Sequence, residues 1–205
     1  MKEKNRTLSE NKAEENIAFF DRWARTYDKP LVQSWMRKFY QPALKLIDGG
    51  KILDVSCGTG EFLRELAAKK KNKLYGTDIS SQMIAKAQEK LSNQVKLKKA
   101  DVHDLPFQDN YFDYVISTEA FHHYYDQQRA ILEMKRVAKK EGKIIIVDIN
   151  FFLGPINWLF EKLEPGCVKI NSRKEMKSLF QASGLRNIIQ YRSFIFSVLT
   201  MGVKA

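Results

Sequence analysis

A short apolar stretch that ends in two alternating glycines constrains this chain more than any other feature. Residues 51–55, Lys-Ile-Leu-Asp-Val, have the apolar character of a strand buried on both faces. Gly58 and Gly60 follow, and apolar residues then recur at helical spacing over 62–67. The order strand, glycine turn, helix brings bare backbone N–H groups and a positive helix N-terminus close to a ligand. It predicts a pocket of the nucleotide-binding type.

Two details of this turn distinguish between nucleotide classes. The dinucleotide fingerprint has a third glycine three residues after the second, and here Leu63 occupies that position. Asp54 lies inside the strand end, where a carboxylate repels a pyrophosphate and attracts an ammonium group. Both details argue against an NAD-linked oxidoreductase.

The pattern Asp54-x-Ser56-x-Gly58-x-Gly60 resembles motif I of the class I S-adenosylmethionine-dependent methyltransferases. S-adenosylmethionine carries an ammonium and a sulfonium group and no phosphate, so an acid at this place suits it. The resemblance implies that these four residues contact the cofactor. It also implies a Rossmann-like α/β fold, with a doubly wound, seven-stranded, mostly parallel sheet and a C-terminal antiparallel hairpin.

A second acid follows the next predicted strand. Asp78 lies 18 positions after Gly60, close to the spacing of about 20 expected for a carboxylate that accepts from both ribose hydroxyls. Ser80 can cap the following helix. Ile79 and Met83 can present apolar surface to an adenine ring.

The segment Ala-Asp-x-x-x-Leu-Pro-Phe at 100–107 recurs in the same methyltransferase superfamily. The resemblance implies that Asp101 meets the exocyclic amine of adenine and that the backbone at Val102 reaches the ring. We assign His103 and Asp104 to the loop rather than to catalysis, because the matching family role falls on Asp101.

A polar loop follows the fourth predicted strand, 111–116, and should face the transferred methyl group. Ser117 is the expected backbone contact to the methionine part. His122 is the catalytic candidate, able to orient or deprotonate an acceptor, or alternatively to hold the loop. We predict no metal site, because the side chains of the adjacent His122 and His123 are expected to point apart and no third ligand is evident.

Two helices are predicted before the glycine turn, over 11–27 and 30–47. The segment Phe-Phe-Asp-x-Trp-Ala-x-x-Tyr-Asp at 19–28 resembles the one that precedes motif I in ubiquinone and menaquinone biosynthesis C-methyltransferases. In that group a tyrosine lies over the cofactor, which makes Tyr27 a candidate contact. The helices serve as a lid over the cleft or simply pack against the sheet edge.

The predicted organisation is a tail and helical cap over 1–48 and a cofactor-binding domain over 49–205, together forming one compact unit. Ser172 is expected to cap a helix, and strands near 185–191 and 194–203 should form the final hairpin.

Composition narrows the setting of this 205-residue chain. With two cysteines, no secretory leader and no apolar run of about 18 residues, we expect a cytoplasmic protein without a transmembrane segment. The net charge is +11, and many lysines lie between Arg64 and Lys99, including Lys69–Lys71. They form either a polyanion-binding or anionic-membrane-binding face, or a solvated lysine-rich surface.

The predicted function is methyl transfer from S-adenosylmethionine to a small, partly apolar organic acceptor. The aromatic stretch 151–160 is a candidate substrate wall or, alternatively, surface buried against the sheet. Transfer to nucleic acid is disfavoured, since Ser-Thr-Glu-Ala at 117–120 replaces the Asn-Pro-Pro-aromatic element used for amide or base nitrogens. Because of the positive charge, a nucleic-acid acceptor stays open as an alternative, and so does a non-catalytic, cofactor-binding regulatory protein. A homodimer, common among relatives, also stays open.

Overall fold

The longest apolar runs of the chain form strands, and a computed structural model places them in a single sheet. The structure describes residues 14–24, 26–68 and 72–205. Within these ranges the order is α1 (14–23), α2 (Pro30–Leu44), β1 (Gly50–Val55), α3 (Glu61–Ala67), β2 (Asn72–Asp78), α4 (Ser81–Leu91), β3 (Val95–Lys99), β4 (Phe112–Thr118), α5 (Gln127–Val137), β5 (Ala138–Ile149), α6 (Gly154–Leu163), α7 (Arg173–Ala182), β6 (Leu185–Phe194) and β7 (Ser197–Lys204).

The strand order confirms the predicted fold class. The sheet reads β3-β2-β1-β4-β5-β7-β6, seven strands within the described residues. β1 to β5 pair in parallel, whereas β7 runs antiparallel between β5 and β6. The chain order reverses between β1 and β4, and ligands of open α/β sheets bind beyond the carboxyl ends of the strands at such a switch point.

Alternation along the central strands divides the apolar core between the two sheet faces. In β1, Leu53 and Val55 belong to a cluster with α5 and α7, whereas Ile52 belongs to a cluster with α2, α3 and α4. All three side chains are fully buried. Helices therefore cover both faces, and the carboxyl edge of the sheet is left for the site.

Some boundaries differ from the sequence-based predictions. α2 ends at Leu44 rather than Ile47. The sequence predicts a turn at Glu141-Gly142 before a fifth strand over 143–147, whereas in the structure β5 already begins at Ala138, which pairs with Phe112. Glu141 has φ 62° and a register shift lies beside it, so the chain passes through an irregular strand. The predicted tail, the start of the first helix and Lys69–Lys71 lie outside the described residues.

The two predicted helix caps are confirmed by hydrogen bonds. Met83 N donates to Ser80 Oγ at 3.0 Å at the start of α4. At α7, Glu175 N donates to Ser172 Oγ at 3.2 Å and Ser172 N donates to Glu175 Oε2 at 2.9 Å. These pairs satisfy N–H groups that a helix start leaves without an internal partner.

The helix α6 differs from the others in the side chains it exposes. Trp158, Leu159 and Leu163 are all exposed, while Phe160 and Glu164 at the helix end turn towards the interior. None of the helices in the described ranges has the length and apolar content needed to cross a bilayer.

Candidate active site

A cavity of about 310 Å³ lies over the carboxyl ends of the parallel strands. Its floor comes from the loops after β1, β2, β3, β4 and β5, and its roof comes from α1, α2 and α6. The side chains and backbone that line it include Tyr27, Ser56, Gly58, Asp78, Asp101, Glu119, His122, His123, Phe160 and Glu164.

The turn after β1 is built from left-handed residues. Ser56, Gly58 and Gly60 have φ of 57°, 53° and 82°. A Cβ at Gly60 would lie 2.6 Å from Leu91 Cδ1, so this glycine is required by the packing of α3 against α4. Gly58 faces the cavity, and a Cβ there would lie 3.7 Å from the ring of Tyr27.

Asp78 ties the glycine turn to the end of β2. Its Oδ2 accepts from Gly58 N and its Oδ1 from Ser80 N, each at 2.9 Å. Burial raises the pKa of Asp78 to about 6, although these backbone N–H groups oppose the rise. The carboxylate therefore braces the turn and still faces the cavity, where its remaining lone pairs can accept from a ligand.

Asp54 is the least solvated acid of the turn. It is 1% exposed, and neither of its carboxylate oxygens has a hydrogen-bond partner. Burial, and next the charge of Asp78, raise the pKa of Asp54 well above its usual value. A buried carboxylate without donors is costly, so the turn is suited to a cationic or donor-rich ligand.

Asp101 is held by two side chains that the sequence did not assign to the site. His103 donates from its backbone N (2.9 Å) and its Nδ1 (2.5 Å) to Asp101 Oδ1, and Tyr125 Oη donates to Oδ2 at 3.0 Å. Burial raises the pKa of Asp101, but these hydrogen bonds outweigh it and the net pKa is lowered. His103 thus belongs to the loop, as predicted, and stacks on Tyr125 with ring centroids 3.8 Å apart.

Ser117 has its side chain below the cavity rather than in it. Tyr124 Oη lies 2.9 Å from both Ser117 Oγ and Ser56 Oγ, which joins the ends of β4 and β1. Ser117 is fully buried and absent from the cavity lining.

The other end of the cavity gathers ionisable groups. His122 Nδ1 lies 2.6 Å from Asp148 Oδ1, and His122 Nε2 lies 3.5 Å from Glu164 Oε2. Burial lowers the pKa of His122, but the carboxylates of Asp148 and Glu164 raise it by more, so the net pKa is raised. Glu119, which is half-buried, has φ 57° and a pKa raised well above its usual value by burial and then by Asp148.

The expectation that the two adjacent histidines diverge is wrong. His122 and His123 lie in a 3-10 turn, with ring centroids 4.1 Å apart. Glu164 supplies a third donor, and one atom from each of the three lies within 4.8 Å of the others. The tight turn brings the rings together, whereas an extended strand would place them on opposite faces.

An aromatic wall completes this end of the cavity. Phe151 and Phe160 line it, so the predicted wall over 151–160 is formed in part, while Trp158 of the same segment is exposed. Further aromatic lining of the cavity comes from the N-terminal helices and the last hairpin, namely Phe20, Trp23, Trp35, Phe39 and Phe196.

Comparison with known proteins places this architecture in a family. Residues 53–146 match the family model Methyltransf_11, described as a methyltransferase domain. The demethylmenaquinone methyltransferase of Bacillus mycoides is 30% identical over 203 aligned positions, which cover 84% of this chain and 85% of the relative. The chain belongs to the class I S-adenosylmethionine-dependent methyltransferases, in the menaquinone and ubiquinone C-methyltransferase-like group.

Further relatives agree with this methyltransferase assignment. The demethylmenaquinone methyltransferase of Staphylococcus carnosus is 29% identical and the alignment covers 80% of this chain and 79% of that one. Among solved structures, an S-adenosylmethionine-dependent methyltransferase from Aquifex aeolicus superimposes with a TM-score of 0.74 at 22% identity, over 90% of this chain and 98% of the other. A second such methyltransferase structure, from Thermotoga maritima, superimposes with a TM-score of 0.76 at 21% identity, over 91% of this chain and 98% of the other. These structures establish the shared fold.

S-adenosylmethionine fits the residues present in this methyltransferase. Asp54 has two buried oxygens without donors, and the cofactor supplies an ammonium and a sulfonium group. Asp78 and Asp101 face the cavity as acceptors, and Tyr27 lies over Gly58. The predicted residues therefore meet in one region of the methyltransferase.

The cavity lining sorts the predicted cofactor residues into two groups. Those that line it are Tyr27, Ser56, Gly58, Asp78, Ile79, Met83, Asp101 and Val102, together with the catalytic candidate His122. Asp54, Gly60 and Ser117 lie beneath it and shape the strand ends.

Sequence reasoning missed several residues of the methyltransferase site. Glu119 and Tyr124 flank the predicted histidines, and their position after β4 was the available signal. Glu164 and Trp35 come from helices distant in sequence, and no spacing rule links them to the glycine turn.

Proposed function

We propose that this methyltransferase holds S-adenosylmethionine at the glycine turn and methylates a small, hydroxylated aromatic acceptor at the His122 end of the cavity. The observation that carries the proposal is the continuity of a single cavity from Asp78 to the aromatic wall. A methyl donor and an apolar acceptor can meet there without crossing bulk water.

The proposed cofactor contacts follow from the chemistry of the donors and acceptors. Asp54 suits the cationic amino-acid end, and Asp78 suits the ribose diol. Asp101 and the backbone at Val102 suit the adenine edge. Ile79 and Met83 offer apolar surface to the ring, and Tyr27 covers the turn. Ser117, whose backbone ends β4, is retained as the contact to the methionine part.

The acceptor end is suited to position an oxygen-bearing ring. When bound, S-adenosylmethionine supplies a methyl carbon whose bond to sulfur breaks as the acceptor's bond forms, the electron pair passing to sulfur. Asp148 fixes the ring of His122 by accepting from Nδ1, so Nε2 can bond an acceptor hydroxyl. Because the pKa of His122 is raised, Nε2 keeps its proton and donates to the acceptor oxygen. This stabilises the phenolate left when the hydroxyl releases its proton to solvent, and the phenolate is more nucleophilic at its ring carbons and its oxygen.

The aromatic wall favours a flat, apolar acceptor over a polar one. Trp35, Phe39 and Phe160 surround the acceptor end, where ring–ring contacts select planar ligands. The curated relatives carry a name that specifies demethylmenaquinone, a quinone, as the acceptor. A quinol-like acceptor matches both observations.

We propose the same division of the chain into a cap and a cofactor-binding domain that the sequence predicts. The part before residue 49 acts as the cap, supported by the four aromatic residues of α1 and α2 that line the cavity alongside Tyr27, namely Phe20, Trp23, Trp35 and Phe39. The cofactor-binding domain is 49–205. We propose that the protein acts in the cytoplasm and that it forms a homodimer.

Calorimetric titration of S-adenosylhomocysteine into the protein tests the cofactor half of the proposal. Asp78→Asn should weaken binding by roughly 10- to 100-fold, because a charge-assisted hydrogen-bond acceptor is worth about 1.5–3 kcal/mol. Asp104→Asn is the matched control, since Asp104 is exposed and outside the cavity lining. Equal binding by both variants would contradict the assignment of Asp78.

The acceptor half needs a turnover assay with labelled S-adenosylmethionine. We expect methyl transfer to a dihydroxynaphthalene and little to a ring without hydroxyls. Normal binding of S-adenosylhomocysteine with no transfer to any hydroxylated ring would overturn the proposed acceptor class and leave the cofactor site intact.

A further inference from the structure

Unpartnered buried oxygens gather at two places in the described part of the chain. Six buried side-chain oxygen atoms there have no hydrogen-bond partner. Two are on Asp54, where the cofactor accounts for them. The other four belong to the acceptor end, namely Asn16 Oδ1, Glu119 Oε1, Asp148 Oδ2 and Glu164 Oε2. Buried polar atoms are nearly always satisfied, so four together indicate a missing ligand.

The charge of this end points to a cation. The charges of Asp148 and Glu164 both act on Glu119. In the described ranges, no lysine or arginine forms an ion pair with any of the three. Among the described residues, the basic side chains paired with Asp148 and Glu164 are His122 and His123.

Three donor atoms converge towards a single point. His122 Nε2 lies 3.5 Å from Glu164 Oε2, and His123 Nε2 lies 3.9 Å from Glu164 Oε1. Tetrahedral ligands about 2.0–2.1 Å from a zinc ion stand roughly 3.3–3.4 Å apart. One atom from each of the three residues lies within 4.8 Å of the others, so shifts of about 1.5 Å or less would close the site. Two imidazoles and a carboxylate form a ligand set found in catalytic zinc sites.

The surroundings hold these donors in place. Asp148 accepts from His122 Nδ1 at 2.6 Å, which directs Nε2 towards Glu164. A carboxylate behind a ligating histidine is a recurrent feature of metal sites, because it fixes the ring and increases its basicity. Asn16 Nδ2 donates to the carbonyl of His123 at 3.0 Å and so ties the histidine turn to α1.

We propose that His122, His123 and Glu164 bind one divalent transition-metal ion, best matched by Zn²⁺, with its open position towards the acceptor. An organic ammonium is disfavoured as the occupant, because the two imidazoles would give it no interaction that the carboxylates do not already provide. With the ion bound, His122 Nε2 coordinates it, so the ion rather than this nitrogen contacts the acceptor oxygen. Resting on the proposed function, the role of the ion is to bind an acceptor oxygen and promote its deprotonation.

Titration of Zn²⁺ into chelator-treated protein tests the site without reference to turnover. The wild type should bind one equivalent, and Glu164→Gln should lose most of that affinity. Glu161→Gln, on the same helix, is the control, because its oxygen accepts from Ile170 N and a glutamine oxygen can still do so. Absence of binding by the wild type, or equal binding by Glu164→Gln, would overturn the proposal.

Two further measurements separate the site from adventitious binding. The spectrum of Co²⁺ bound in its place should lack a thiolate charge-transfer band, since the proposed ligands are nitrogen and oxygen; such a band would overturn the assignment. Asp148→Asn should weaken metal affinity about 10- to 100-fold while binding persists.

Binding of S-adenosylhomocysteine to the same preparations keeps the two proposals apart. If the cofactor binds and Zn²⁺ does not, the metal site fails alone. If a long-chain alkylammonium binds at this end of the cavity and no metal ion displaces it, the occupant is an organic cation and the metal proposal is wrong.

Discussion

Asp78 has two tasks that compete for one carboxylate. It accepts from Gly58 N and Ser80 N within the protein, and it is the proposed acceptor for the ribose diol. Burial favours its protonated form, yet both tasks need the ionised form. The pKa of about 6 therefore places this conflict within an accessible pH range.

We predict that affinity for S-adenosylhomocysteine decreases as the pH falls below about 6. In the protein without ligand, the pKa of Asp78 is raised from 3.8 to about 6. Ligand binding to the ionised form must then displace a proton at lower pH, with a limit near tenfold per pH unit. The stability of the protein without ligand changes in the opposite direction. Because the pKa of Asp78 is raised, its contribution lowers the free energy of unfolding as the pH rises from 3.8 to about 6.

Calorimetry from pH 5 to pH 8 checks this prediction. In Asp78→Asn the step near pH 6 should disappear, whereas Asp104→Asn should retain it. A step that survives in Asp78→Asn would assign the titration to another acid, such as Asp54, on whose pKa the charge of Asp78 acts.

At the residue scale, the cofactor acids could be predicted from the sequence and the acceptor cluster could not. Asp54 and Asp78 follow buried strands at fixed spacing from the glycines, so local rules find them. Glu119 enters the site through its left-handed backbone, and Glu164 through the position of α6. Neither is encoded by local periodicity.

At the element scale, Gly76 shows how closely α3 and the neighbouring strand approach β2. A Cβ there would lie 2.7 Å from both Leu63 Cδ1 and Leu97 Cδ2, and 2.9 Å from Cys57 Sγ. Helix and strand are thus packed at a distance that only a glycine permits. The turn that carries Gly58 is supported by this contact, since Cys57 adjoins it.

We predict that Gly76→Ala lowers the free energy of unfolding by roughly 1–3 kcal/mol, the usual cost of overpacking. Urea denaturation measures it. Gly154→Ala is the matched control, because a Cβ at Gly154 has no atom within 4 Å and α6 accepts an alanine there. Equal stability of the two variants would show that the β2 packing can relax.

The elements themselves were largely predictable, because the strands of this sheet are apolar runs bounded by turn residues. The exception is the start of β5, where the sequence favours a turn at Glu141-Gly142. Pairing of Ala138 with Phe112 decides the structure instead, and tertiary pairing of this kind is invisible to local propensity.

At the scale of the whole molecule, part of the positive charge is used internally. Lys90 pairs with Asp28 and Glu61, and Lys96 and Lys98 lie over the rings of Tyr75 and Phe107 at 5.6 and 5.3 Å. These lysines join α4 and β3 to their neighbours. They are not simply a free basic surface.

The two halves of the cavity should respond separately to mutation. We predict that Phe160→Ala raises KM for the acceptor about tenfold or more, since it removes a large ring from the wall, and leaves the affinity for S-adenosylhomocysteine unchanged. Steady-state kinetics and calorimetry on one preparation check both parts. Trp158→Ala, exposed on the same helix, is the control and should change neither. A parallel loss of cofactor affinity in Phe160→Ala would contradict the separation.

The origin of the wall residues in the chain bears on how such a protein can change over generations. Trp35, Phe39, Phe151, Phe160 and Phe196 all lie outside residues 53–146, whereas every proposed cofactor contact except Tyr27 lies within them. Substitutions in the two ends of the chain can therefore adapt the wall to a new acceptor. Selection can meanwhile keep the segment between them unchanged. A lineage built this way can diversify its substrates by drift at its termini, without passing through ancestors that have lost the methyl donor.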